Sequence, residues 1–179
     1  MKEAFKDKVI WITGASSGIG EALAYELSRQ GAKLILSSRR EVELNRVKAN
    51  CAHEALVSVL PLDLTATDTL AAKTADAIAL FGHIDIMVHN GGISQRALVI
   101  DTDIAVHREV MELNYFSYII ITKALLLHFM ERGSGHFVVT SSVMERSVHR
   151  CAPDTRRQNM LYMAISTACG QKWQIAASK

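Results

Sequence analysis

Short runs of consecutive apolar residues alternate along this chain with longer stretches in which apolar positions recur every three or four residues. The first kind of run predicts a strand buried on both faces, and the second an amphipathic helix. Val9-Ile10-Trp11-Ile12-Thr13 opens the series. Residues 21–30 place Leu23, Ala24 and Leu27 at helical spacing, and Gly31 ends that helix. Leu34-Ile35-Leu36 predicts a second strand, 41–52 a charged helix carrying Val42, Leu44 and Val47, and 56–60 a third strand. Thr65 is placed to cap a helix over 67–81, which Gly82 ends. A strand over 84–88, a long helical segment over 103–130 with an irregular start, and a strand over 136–140 complete the alternation.

Continuous apolar strands separated by helices predict an α/β fold, a doubly wound parallel sheet covered on both faces. Right-handed crossovers place its ligand crevice at the carboxyl ends of the strands. The alternation stops after Ser142, so the sheet is expected to be truncated after its fifth strand. Beyond it Arg146, His149, Arg150, Arg156 and Arg157 crowd together with little apolar period. The chain thus divides into an ordered unit over 1–143 and a tail over 144–179.

Composition narrows the function classes. Among 179 residues, 49% are hydrophobic and 21% charged, which fits a globular domain with a sizeable core. Twenty basic and eighteen acidic residues leave a net charge of +2, too little to make nucleic acid or an acidic membrane the main partner. The chain has no uninterrupted apolar run of 18 residues or more, so no transmembrane segment is expected. Cys51, Cys151 and Cys169 are odd in number and share no short spacing, which predicts neither a disulfide framework nor a metal site and suits a reducing, cytoplasmic setting. The seven histidines lack metal-ligand spacing, Trp11 reads as core, and Asp101 and Asp103 read as helix-capping residues.

The candidate chemistry begins at Thr13-Gly14-Ala15-Ser16-Ser17-Gly18-Ile19-Gly20, between the first strand and the first helix. Glycines there allow a tight turn and close backbone approach to a pyrophosphate, whose charge the helix N–H groups stabilise. Ser16 and Ser17 add hydroxyl donors for the phosphate. With its spacing Gly14-x-x-x-Gly18-x-Gly20, this loop resembles the cofactor loop of the short-chain dehydrogenases/reductases, single-domain Rossmann enzymes that move hydride between NAD(P) and an alcohol or carbonyl. The resemblance continues in order. Leu62-Asp63-Leu64 resembles the family's adenine-contacting segment, with Asp63 in the contacting place. His89-Asn90-Gly91-Gly92 resembles its Asn-Asn-Ala-Gly with two substitutions. Asn114 matches the family's catalytic Asn, and Ser142, 28 positions later, its catalytic Ser. The match covers residues 8 to about 143, and Gly91-Gly92-Ile93-Ser94-Gln95-Arg96 further resembles the member 7 subgroup. It implies a cofactor site built from Gly14, Ser16, Ser17, Gly18, Ile19, Gly20, Asp63, Leu64, Asn90, Gly91 and Gly92. It also implies a small-molecule alcohol or carbonyl substrate and, often, a homo-oligomer.

An NAD-specific site of this kind places a carboxylate about 20 residues past the glycines, on the ribose 2′-hydroxyl. Here the second strand runs into Ser37-Ser38-Arg39-Arg40, with no carboxylate and two guanidiniums. Arg pairs a 2′-phosphate with its planar fork, so NADP is preferred over NAD. Arg39 is the stronger candidate, because Arg40 also reads as the solvated start of the next helix.

Family chemistry needs a Tyr hydroxyl as general acid/base and a Lys four residues later. The cation draws the phenol's proton affinity down from about 10 toward working pH. This chain lacks the pair: Thr155 stands 13 residues after Ser142, where the Tyr belongs, and Tyr162 is followed four residues later by Ser166. The tail regains the family pattern in another register. Read from the third base of each codon, Met144-Glu145 must give Gly, Asp154-Thr155 gives Tyr or His, and Gln158-Asn159 gives Lys or Glu four steps later. Met163-Ala164 must give Gly and Trp173-Gln174 must give Ala. One permitted reading begins Tyr-Ala-Ala-Ala-Lys, as the family's active-site helix does. The tail from about Met144 is therefore expected to be a frame-shifted reading, with an unrelated natural tail as the alternative.

These observations lead to an NADP-dependent oxidoreductase by family that is inactive as written, with Ser142 and Asn114 as its remaining catalytic residues. The alternative is a non-catalytic NADP-binding or partner-binding module. An open edge at the fifth strand and apolar helix surface at Ile119, Ile120, Leu125 and Leu126 would favour aggregation.

Overall fold

The computed structural model describes residues 4–95, 97 and 101–140. Five parallel strands form one sheet: β1 (Val9–Thr13), β2 (Lys33–Ser37), β3 (Val57–Val59), β4 (Ile86–His89) and β5 (His136–Val139), in the spatial order β3-β2-β1-β4-β5. Each strand falls within about two residues of its expected place. Helices α1 (Gly18–Arg29), α2 (Glu41–Ala49), α3 (Leu70–Phe81), α4 (Ile104–Met111) and α5 (Ser117–Arg132) connect them.

β1 explains the two-layered core. All five of its residues are buried, and alternate side chains leave opposite faces of the sheet. Val9 and Trp11 join Ile35, Met87, Leu70, Ile121 and Leu125 under α3 and α5. Ile10 and Ile12 join Leu34, Leu36, Ala24, Leu27, Leu44 and Val47 under α1 and α2. The Trp11 indole N–H donates to Ser37 Oγ at 2.9 Å, so the largest core side chain is also polar-satisfied.

The helix boundaries show where local signals were overruled. α3 begins at Leu70, not 67, and Thr65 does not cap it: its N–H and hydroxyl both donate to Asp63 Oδ1, closing a turn before the helix. Gly82 ends α3 with φ 78°, as expected. Asp103 does cap α4, accepting from Ala105 N at 2.7 Å. The irregularity of the long helix is not at its start but in its middle, where Glu112–Phe116 forms a π turn between α4 and α5. Leu125, expected to be exposed, is buried at 0% exposure against the sheet; Leu127 at 65% and Met130 at 63% carry the open apolar face of α5.

The continuous helical stretch Ile104–Arg132 is long and apolar enough to cross a bilayer by length and composition. A search for an uninterrupted apolar run does not see it, because charged residues punctuate it. In this fold its Val110, Leu113, Ile121 and Phe129 are buried in the core. Among the described residues β5 lies at one edge of the sheet, with β3 at the other. Residues 141–179, and with them Ser142 and the whole of the tail in question, lie outside the described residues.

Candidate functional site

β1 has β2 on one side and β4 on the other, so strand order reverses beside it. The crevice expected at such a switch point opens above the carboxyl ends of β1 and β4. It is a cleft of about 450 Å³. The glycine loop forms one wall through Gly14, Ser16, Ser17 and Ile19; the end of β2 supplies Ser38, Arg39 and Arg40; Leu62, Leu64, Asn90, Gly91 and Gly92 close the far side.

Backbone proximity shapes the loop. Gly14 has φ 65°, and a Cβ on it would stand 2.7 Å from the Gly91 Cα. A Cβ on Gly20 would stand 2.4 Å from the Gly14 carbonyl oxygen. Gly18 also has positive φ, 59°, yet nothing lies within 4 Å of its missing Cβ. The first and last glycines therefore pack the turn against itself and against β4, while the middle one faces open space at the start of α1. Ser17 caps α1 without a side-chain hydrogen bond, which leaves first-turn N–H groups available for an anion.

Asn90 links the two halves of the crevice. Its Nδ2 donates to Thr13 O at 3.2 Å and Gly14 O at 3.3 Å, and its Oδ1 accepts from Thr140 Oγ1 at 3.0 Å. Thr13 Oγ1 in turn accepts from the amides of Asn90 and Gly91, each at 3.1 Å. The carboxamide is thus used to tie the ends of β1, β4 and β5 together. Neither Thr13 nor Thr140 carries a local signal of its role, since a threonine at a strand end gives no hint of a partner 50 or more residues away.

The two arginines at the end of β2 have different surroundings. Arg40 Nη2 donates to Ser16 Oγ at 3.0 Å and Ser17 Oγ at 2.9 Å, so this side chain folds back over the glycine loop and is not simply the solvated start of α2. Arg39 lines the cleft with no hydrogen bond or ion pair to the described residues, and its charge helps hold the Asp63 carboxyl below its ordinary value, although the larger influences there are burial, which opposes the shift, and the two hydrogen bonds from Thr65. Asp63 itself is exposed and bonded to Thr65, while its neighbours Leu62 and Leu64 line the cleft.

Asn114 sits in the π turn. Its Oδ1 accepts from Ile93 N at 2.9 Å and its Nδ2 donates to Ile93 O at 2.8 Å. Both ends of the amide are occupied by one residue's main chain, which fixes the segment after Gly92 against the helix. Tyr118, one turn on, is buried and donates to Gly91 O at 2.5 Å; burial pushes its phenol well above the usual value, so this tyrosine is a locked donor and no substitute for the missing acid/base.

His89 is buried at the end of β4, with Nε2 3.0 Å from Thr122 Oγ1 and no partner for Nδ1 among the described residues. Burial alone lowers its pKa to about 3. In the unfolded chain it titrates near 6.5, so its contribution is complete above that pH and is lost as pH falls toward 3. Folding stability is expected to drop by about 2 kcal/mol between pH 6.5 and 5 from this group. Urea unfolding at both pH values checks it: His89→Asn should flatten that slope, and an unchanged slope would contradict the assignment.

Comparison with known proteins follows the same outline. The sequence profile of the short chain dehydrogenases matches residues 8–152. The human "Dehydrogenase/reductase SDR family member 7" is 49% identical over 143 residues, covering 77% of this chain and 42% of that protein. The Drosophila melanogaster "Dehydrogenase/reductase SDR family protein 7-like" is 43% identical over 141 residues, 76% of this chain and 43% of that one. The chain thus spans about two fifths of the length of these relatives. A short-chain dehydrogenase structure from Streptomyces avermitilis superposes with a TM-score of 0.87 at 28% identity, over 98% of this chain and 63% of that one. A metagenomic short-chain oxidoreductase solved in complex with NADP shares the fold, with a TM-score of 0.88 at 20% identity over 96% of this chain and 79% of that one. With its strand order, its glycine loop and a profile match over most of its length, this chain belongs to the short-chain dehydrogenase/reductase family.

Proposed function

We propose that this chain binds NADP(H) in the crevice between β1 and β4, and that as written it does not turn over substrate. The observation that carries the first half is Arg39: a guanidinium with no described partner at the mouth of the cleft, where NAD-selective sites place a carboxylate. Three further features support the fit. The cradle at Gly14 and Gly20 tolerates no Cβ, the start of α1 is open at Gly18, and the β2 end lacks a carboxylate.

Bound there, the nicotinamide would supply or accept the hydride exchanged with an alcohol or carbonyl. The chain's own residues do the rest. First-turn amides of α1 and the Ser17 hydroxyl meet the pyrophosphate, and Arg39 forks onto the 2′-phosphate. Leu62 and Leu64 give an apolar wall for the adenine, and Asn114 holds the Ile93 segment beside the nicotinamide end. The second half rests on the missing Tyr-x-x-x-Lys pair: without a phenol poised by a cation, no group supplies the carbonyl oxygen's proton. The second reading is a non-catalytic NADP-binding or partner-binding module whose tail is natural and functional; tight NADPH binding by a stable fold, with no turnover on any carbonyl, would favour it.

Arg39→Ala tests the cofactor assignment. NADPH affinity should fall about tenfold to a hundredfold, the scale of a lost charge-assisted fork, while NADH affinity stays within about twofold. Isothermal titration with both nucleotides reads this directly. Equal losses for both would remove Arg39 from the 2′-phosphate site.

A further inference from the structure

The turn that carries Gly91 and Gly92 is held from two sides by different elements. From β1, Thr13 Oγ1 accepts from the Gly91 amide at 3.1 Å. From α5, the Tyr118 hydroxyl donates to the Gly91 carbonyl at 2.5 Å. Both polar groups of one peptide residue are therefore used, one by the strand that leads into the glycine loop and one by the helix behind it. Gly91 also stands in close contact with that loop: a Cβ on Gly91 would lie 2.6 Å from Leu64 Cδ1, and a Cβ on Gly14 would lie 2.7 Å from Gly91 Cα. A small displacement of Gly91 must move Gly14 or Leu64, and both line the cleft.

Tyr118 does not stand alone. Its ring stacks on the His89 imidazole, with centroids 4.5 Å apart and an interplanar angle of 19°. Phe137 stacks on the same imidazole at 6.1 Å. His89 is fixed in turn by Thr122, one helical turn beyond Tyr118 on α5. Because Nδ1 has no partner among the described residues, the neutral ring with its proton on Nε2, donated to Thr122, leaves only an acceptor unsatisfied and not a donor. The stack holds the phenol in one orientation, which lets a single hydroxyl set the height of the turn.

We propose that Tyr118 is a positioning residue for the dinucleotide: acting through the Gly91 carbonyl, with His89 stacked behind it, it sets the spacing between the Gly91-Gly92 turn and the glycine loop. This rests on the reading of the crevice as the NADP(H) site. It is distinct from acid/base catalysis, since the hydroxyl is buried and committed to the main chain.

The test uses the full 179-residue chain and NADPH fluorescence titration, with thermal melts alongside. Tyr118→Phe keeps the ring and its stacking but removes the donor, so NADPH binding should weaken about fivefold to twentyfold. Thr74→Val removes a buried hydroxyl that donates to Leu70 O within α3, away from the cleft; it should lower the melting temperature and leave NADPH affinity within twofold. If Tyr118→Phe binds NADPH as wild type does, the proposal is wrong. If both variants lose affinity in step with their melting temperatures, Tyr118 is merely structural and the proposal is equally wrong. Failure of the folded wild-type chain to bind NADPH would overturn the site reading first, a result recognisable before either variant is measured.

Discussion

Shifting the reading frame back at the Val143–Met144 boundary is expected to raise carbonyl-dependent NADPH oxidation by orders of magnitude. The permitted alternate reading puts Tyr where Thr155 now stands, 13 residues after Ser142, and Lys four residues beyond it. On a helix that spacing brings phenol and ammonium to one face. The cation favours the phenolate and draws the proton affinity toward neutral pH, which an isolated phenol near 10 does not reach. Positioned acid/base catalysis is worth about 10²–10⁴ in rate, so NADPH oxidation should rise by at least that factor over the chain as written. The assay follows NADPH absorbance with a panel of aldehydes and ketones. Turnover by the unaltered chain at a comparable rate would contradict the account, because no described tyrosine is placed to supply it. Sequencing the codons for Val143 through Lys179 complements this: codons that do not give Tyr and Lys in the shifted register would leave the tail as a natural one.

The second large effect concerns the glycine loop. Gly20→Ala adds one methyl, which would lie 2.4 Å from the Gly14 carbonyl oxygen and 2.6 Å from Asn90 Nδ2. The first of these is main chain and the second is the side chain that ties β1 to β4 and β5. Neither can move without opening the crevice. Overpacking of this kind costs about 1–3 kcal/mol, and here the same displacement separates the α1 start from the turn at Gly91. The variant is expected to lose stability by that amount and NADPH binding beyond detection. Gly82→Ala is the control: its φ is 78°, but it ends α3 and is no part of the cleft lining, so it should cost stability through strain alone and spare binding. If Gly20→Ala binds NADPH normally, the close packing at Gly20 is not what shapes the site.

Much of this was legible in the sequence because it is local. The alternation of apolar runs located the five described strands; the clearest is β1, which is buried along its whole length and apolar up to Thr13. The glycine loop was legible because its letters, its spacing and its place after a strand coincide. Asp103 was legible as a cap because capping is a contact two residues away. What escaped is non-local. Thr13, Thr140 and Tyr118 hold the crevice together through bonds spanning 27 to 78 residues, and each looks ordinary in its own stretch of chain. The π turn escaped because helical periodicity continues across it; the Asn114 amide binding Ile93 is what marks the place. Arg40 does stand exposed at the start of α2, as its place in the sequence implies; its bonds to Ser16 and Ser17, more than 20 residues back, carry no local signal.

The most direct test of the central claim is a calorimetric titration of the chain with NADPH, at a pH of 7 or above so that buried His89 costs no stability. A single site with affinity at least about tenfold tighter than for NADH, and no loss of NADPH absorbance on adding carbonyl compounds, is the predicted result. A folded chain that takes up no NADPH, or that prefers NADH, would contradict it.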